Sequence, residues 1–374
     1  MSKDSLALRA QELIEEGDEI FSSLSSWETA WADRQMFLES RGYMLRPRYR
    51  SGWIPSWKGT GKHPMFFEDS VILPLREHLI DATRMSDGML VYIKRVRTGD
   101  TESRIATMLS SPPLSEDPEN HSVPILELFQ DADDESISYM VMPFLRLIDE
   151  PPFALIEEIM EFVDQILVGL AFLHKHGVAH RRDCEYKNLM MDAHAMYPQG
   201  HHPVATMCLP DGMTKASYRS RADAGVKYYF VDFGISVHFP PDVRPKLVVG
   251  TDGRDQEVPE LSMRTPYDPF KVDMFIIGNV FRHELHDKFS NVEFLVPMIE
   301  SMTQRDPSCR PSAVEALTQW RNIRGTISSV QLRWRPRPRE EEPVLTAFYE
   351  AVSLVSTAAH FGKELYKWAA GSQG

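Results

Sequence analysis

At 374 residues, with 43% hydrophobic and 25% charged side chains, the chain is ordinary globular material, long enough for one large core or two modest ones. Its 41 basic and 54 acidic residues give a formal charge of −13, which repels phosphate backbones and argues against nucleic acid as a partner. Three cysteines, Cys184, Cys208 and Cys309, stand without C-x-x-C spacing, which speaks against a disulfide framework or a zinc site and for a cytoplasmic or nuclear setting.

In chain order, residues 4–40 scatter Leu6, Leu8, Leu13, Ile14, Ile20 and Phe21 among acids, the pattern of an amphipathic helix or helical pair without the unbroken apolar run of a signal peptide. RGYMLRPRYRSGWIPSW, over 41–57, is rich in arginine, aromatics and proline, and is expected to be extended. It is read as a structural clamp in preference to an arm for an acidic partner. From Val71, VILPL, the turn signal Ser86-Asp87-Gly88 and the β-rich MLVYIKRV predict a hairpin. A helix is expected from Asp100 to Leu109, a loop over 111–122, a buried strand in ISYMVMPFL, and a helix in ALIEEIMEFVDQILVGLAFLHKHG. Residues 192–226 read as a long polar insertion, in which His194, His201 and His202 lack partner ligands and fit a solvated loop better than a metal site. Residues 333–343 look like a linker, and the tail after it like an amphipathic helix, covering the main body or serving a homodimer. No stretch reaches the roughly eighteen apolar residues of a transmembrane segment.

Phosphoryl transfer asks little covalent work of a protein: a lysine on the phosphates, oxygen ligands for magnesium, and a carboxylate that orients the nucleophile. In AHRRDCEYKNLMMD, Asp183 precedes Asn188 by five residues, the spacing of a loop in which the aspartate receives a hydroxyl proton and the asparagine holds metal. YYFVDFGIS then supplies Asp232-Phe233-Gly234 after a buried strand, presenting Asp232 to Mg²⁺.

With these residues in order, the chain resembles the eukaryotic protein kinase superfamily from about Val71 to Trp320. The resemblance implies an α+β, two-lobed protein-kinase-like fold with a small β-rich lobe and a large helical lobe. Residues 1–57 would be an extension, 58–145 the small lobe, 146–322 the large lobe with its insertion, and 323–374 the linker and C-terminal helix. It implies ATP and Mg²⁺ as cofactors. VYIKRV would place Lys94 on the phosphates with Glu102 as its partner, YMVMPF would make Met142 the gatekeeper, and Pro143, Phe144 and Leu145 would face adenine. Asn188 and Asp232 would hold the metal. Val258-Pro259-Glu260 resembles the A-P-E triplet, with Arg310 the expected partner of Glu260, and KVDMFIIGNV supplies Asp273 and Gly278. RGYMLRPRYRSGWIPSW, MYPQGHHP and PELSMRTPYDPFKVD look more narrowly like a kinase-like group from mushroom-forming fungi.

The sequence also departs from the kinase pattern. No glycine stands in VILPLREHLIDATRMSD, where a lid over the phosphates belongs, and without glycine backbone N–H groups approach phosphates less closely. His180 is displaced by one residue from its usual place. Glu185 stands where Ser/Thr kinases carry a phosphate-contacting lysine, and Lys187 resembles the position at which tyrosine kinases often place arginine. The expectation is an ATP-dependent kinase acting on a protein hydroxyl through Asp183, Lys94, Glu102 and Lys187. Its rivals are a pseudokinase scaffold that binds partner proteins and, less favoured, a small-molecule kinase.

Overall fold

In the computed structural model, which describes residues 3–72, 77–181, 184–253 and 255–342, the N-terminal stretch forms three helices instead of one or two. These are α1 (Lys3–Phe21), α2 (Ser26–Ala32) and α3 (Gln35–Ser40). The break after α1 has a local cause: Glu28 reaches back to accept the Ser25 N–H at 2.9 Å, the reciprocal half of a capping box that starts a new helix. The whole is a mixed α+β structure with a curled sheet, and its contacts divide it into two compact units.

The first unit takes Met1–Ser103, Val123–Leu145 and Asp192–Val226. Its sheet runs in the order β1-β2-β3-β5-β4, from β1 (Tyr43–Met44), β2 (Leu79–Arg84), β3 (Leu90–Arg97), β4 (Glu127–Gln130) and β5 (Ile137–Pro143). The hairpin predicted around Ser86-Asp87-Gly88 is the β2–β3 pair. Its first arm is Leu79–Arg84, however, not a strand from Val71, whose carbonyl is taken by the Arg46 side chain at 2.7 Å; residues 73–76 lie outside the described set.

Strand alternation sorts the side chains onto two faces. Ile80, Ala82, Val91, Ile93, Tyr139, Val141 and Phe129 share one face, where Trp31, Leu38, Tyr43, Leu45 and Tyr49 from α2, α3 and the following segment cover them. Leu79, Asp81, Tyr92, Lys94, Met140 and Met142 share the other. The N-terminal extension is therefore core material for this sheet. Arg46 and Arg48 of this stretch face inward, while Arg41 and Arg50 stay exposed: Arg48 is 0% exposed, donating to Glu28 at 2.6 Å and to the carbonyls of Phe21 and Ser23. The internal bonds of Arg46 and Arg48 tie this stretch to the rest of the unit, as a clamp would.

The second unit takes Arg104–Ser122, Arg146–Met191 and Lys227 onward. It is built around α5 (Ile156–Lys175), whose apolar positions at helical spacing are buried from Ile156 to Leu173. A small sheet of β6 (Arg146–Leu147), β8 (Leu189–Asp192) and β9 (Lys227–Phe230) accompanies it, with the pairs β7 (Val178–Ala179) with β10 (Val237–His238) and β11 (Val248–Gly250) with β12 (Ser262–Tyr267). Residues 333–342, read as a linker, are hydrogen-bonded along the unit: Ser290 N–H donates to Arg337 O and Arg339 N–H to Lys288 O. The amphipathic tail and its proposed dimer contact, residues 343–374, lie outside the described residues. Among those described, no helix is long and apolar enough to cross a membrane.

Candidate functional site

In the first unit, Lys94 projects from β3 on the face opposite the aromatic core, and α4 (Thr101–Leu109) brings Glu102 to it. Asp100 fixes the start of that helix by accepting the Ser103 N–H at 2.7 Å, which puts Glu102 in the first turn. Lys94 Nζ donates to Glu102 Oε1 at 2.5 Å, and the two side chains are only 12% and 10% exposed. A lysine held this way is a fixed point charge rather than a roaming surface cation.

Met142 lies across from Tyr92 in the β3–β5 register and is half-buried, while Pro143, Phe144 and Leu145 are buried. Two rings lie against that of Phe144. Tyr92 stacks on it at 4.4 Å and 25°, and His201 from the 192–226 segment stands 5.3 Å away. Tyr92 is a residue that sequence reasoning passed over; its place in VYIKRV gives no sign of the contact with Phe144.

The histidines of the insertion are not solvated as a group. His202 is 1% exposed; its Nδ1 accepts the N–H groups of Val204 and Ala205, so Nε2 carries the proton and donates to Glu68 at 3.1 Å. Glu68 also accepts from Arg46, which donates to the fully buried Asp81 at 2.8 Å. These residues, with Tyr197 and His201, line a cavity of about 450 Å³. Only His194 stays exposed.

In the second unit, the loop that leads to Asp183 is pinned from below. Asp273, 0% exposed on the helix Pro269–Val280, accepts the backbone N–H groups of His180 at 2.9 Å and Arg181 at 2.5 Å, and meets His174 Nε2 at 2.9 Å. Asp183 and Arg182 themselves lie outside the described residues. Arg181 has φ of 67° and Asp232 φ of 63°, left-handed conformations costly for residues with a Cβ, which a loop keeps only where its surroundings impose them.

His180, fully buried, donates from Nε2 to Val231 O over 3.0 Å and packs its ring 5.0 Å from that of Phe233. Val231 N–H donates to Asn188 O at 2.9 Å, which sets Asn188 beside the residue preceding Asp232. Lys187 is exposed. Glu260 and Arg310 form the expected pair in bidentate form, at 2.6 and 2.8 Å, with the arginine 2% exposed.

The amide oxygen of Asn188 and the carboxylate of Asp232 are hard donors of the kind Mg²⁺ takes, its remaining positions going to water and phosphate. Among the described residues no group of three or more His, Cys, Asp or Glu could hold a metal ion. Compared with models of known protein families and with curated proteins, the chain finds no match in either.

Proposed function

We propose that this chain is a two-lobed, protein-kinase-like domain that binds ATP with Mg²⁺ and transfers the γ-phosphoryl group to a protein hydroxyl. The observation that carries the reading is the sheltered Lys94–Glu102 pair, a preformed cation on the sheet face that bears none of the aromatic core. Lys94 holds the phosphates and Glu102 fixes Lys94. Asn188 and Asp232 hold magnesium, which when bound neutralises charge developing between the phosphates. Asp183 receives the acceptor's proton, on a loop whose approach is anchored by Asp273. Lys187, exposed and four residues on, adds positive charge for the transferred group. Met142 and the run Pro143 to Leu145 form the wall on the base side.

A second reading, a pseudokinase that binds partner proteins, is favoured by one observation: the residues assigned to adenine are already buried. The two are separated by incubating the purified full chain with Mg²⁺ and γ-labelled ATP beside a general protein acceptor, with Asp183→Asn and Lys94→Met in parallel. Transfer by the parent that falls about 10²–10⁴-fold in Asp183→Asn supports the kinase. Transfer at equal rates in parent and Asp183→Asn removes Asp183 from the mechanism. No transfer from a folded parent favours the scaffold.

A further inference from the structure

We infer that Tyr92 fills the place where the base of a bound nucleotide would stack, so that this chain holds Mg²⁺-triphosphates by their phosphates and does not read the base. The inference rests on the proposed reading of Lys94 as phosphate ligand and of Pro143 to Leu145 as the base-side wall. Alternation along β3 puts Tyr92 on the same face as Lys94, about 7 Å away along the strand, with Met142 opposite it on one side and Asp81 on the other. The Tyr92 and Phe144 rings lie 4.4 Å apart at 25°, the offset stack that a nucleobase adopts on an aromatic side chain.

A second ring also lies against Phe144. His201 stands 5.3 Å from Phe144, Tyr197 stands 4.9 Å from His201, and Tyr218 stands 5.7 Å from Tyr197, a run of rings that leaves Phe144 only 6% exposed. A base that stacks on Phe144 must displace Tyr92 or His201. The alanine of the V-A-I-K motif would leave that space open. In the proposed reading the phosphates meet Lys94, which Glu102 orients. Tyr92 is thus the residue that sets specificity, and the ligand class is a triphosphate irrespective of its base.

Calorimetric titration of the full chain with ATP, GTP and inorganic tripolyphosphate, each with Mg²⁺, tests this. The wild type is expected to bind all three within about threefold of one another, and Tyr92→Ala to bind ATP and GTP at least about tenfold more tightly than tripolyphosphate, the gain from one stacked base. Should Tyr92→Ala fail to fold by circular dichroism, His201→Ala removes the outer ring and leaves β3 intact; nucleotides should then gain about threefold or more over tripolyphosphate. A wild type that already prefers ATP tenfold, or a folded variant with no gain, overturns the role of Tyr92 and leaves the kinase reading standing. Absence of binding by all three ligands to the wild type and both variants overturns the kinase reading, and this inference with it.

Discussion

Arg310 shows how much one side chain can hold. Its guanidinium meets both Glu260 oxygens, donates to the carbonyls of Gln304 at 2.7 Å and Lys271 at 2.9 Å, and lies 4.6 Å over the Phe275 ring. Replacing it with alanine leaves a carboxylate that is only 12% exposed without its cation, and is expected to cost about 3–5 kcal/mol of unfolding free energy. Arg310→Lys should recover little, because an ammonium cannot serve both carboxylate oxygens and two carbonyls from one plane. Urea denaturation checks both, and an unchanged midpoint in Arg310→Ala would show that the pair carries no stability. This pair was legible in the sequence because both partners sit in short motifs with a fixed mutual role. Tyr92 was not, since its meaning depends on Phe144 and on His201, a residue contributed by a segment far along the chain.

Regular elements were read from periodicity where they bury one face. The helix expected from Phe153 onward is Ile156–Lys175, and the strand in ISYMVMPFL is Ile137–Pro143. The first arm of the hairpin was misplaced because Val71 and Ile72 have strand-forming side chains, whereas the backbone there serves Arg46. The insertion was the larger miss. Its polar composition suggests a solvated loop, but the partner that anchors it, Glu68, lies 134 residues earlier. No local pattern encodes that bond. The consequence can be measured: in His202→Phe the ring still fills space, but it loses two backbone donors and the bond to Glu68. Each such loss in a buried setting costs about 1–3 kcal/mol. Hydrogen exchange at Val204 and Ala205 should accelerate at least about tenfold in the variant, while the β3–β5 amides keep their protection. Unchanged exchange at both positions would show that His202 is not the anchor.

For the molecule as a whole, acid stability between pH 6.5 and 4 should carry a contribution from His121, beside a smaller one of the same sign from His176, whose pKa burial also lowers. His121 is 6% exposed, donates from Nδ1 to Tyr228 O at 2.8 Å, and packs against Gly169, where an added Cβ would lie 2.5 Å from its own. Burial pushes its pKa down to about 4, the Tyr228 carbonyl opposing and nearby Lys227 adding to the fall, with Asp164 opposing. The unfolded chain takes up this proton near the ordinary value of about 6.5, the folded chain only near 4, so across that interval the unfolded state binds more protons and stability falls as pH falls. The slope from one proton is at most about 1.4 kcal/mol per pH unit, and the whole interval is worth about 3 kcal/mol. Two other effects can be separated from it. The formal charge of −13 shrinks on acidification, which relieves repulsion and acts in the opposite direction. Asp18 and Asp87, held by Lys58 and Arg84 at about 2, lose their pairs only below the carboxylate range, outside this window. Urea unfolding at fixed ionic strength from pH 7 to 4.5 should therefore show declining stability in the parent. In His121→Asn, whatever its absolute stability, the curve should be flatter by close to one proton. Parallel curves for the two proteins would remove His121 as the source.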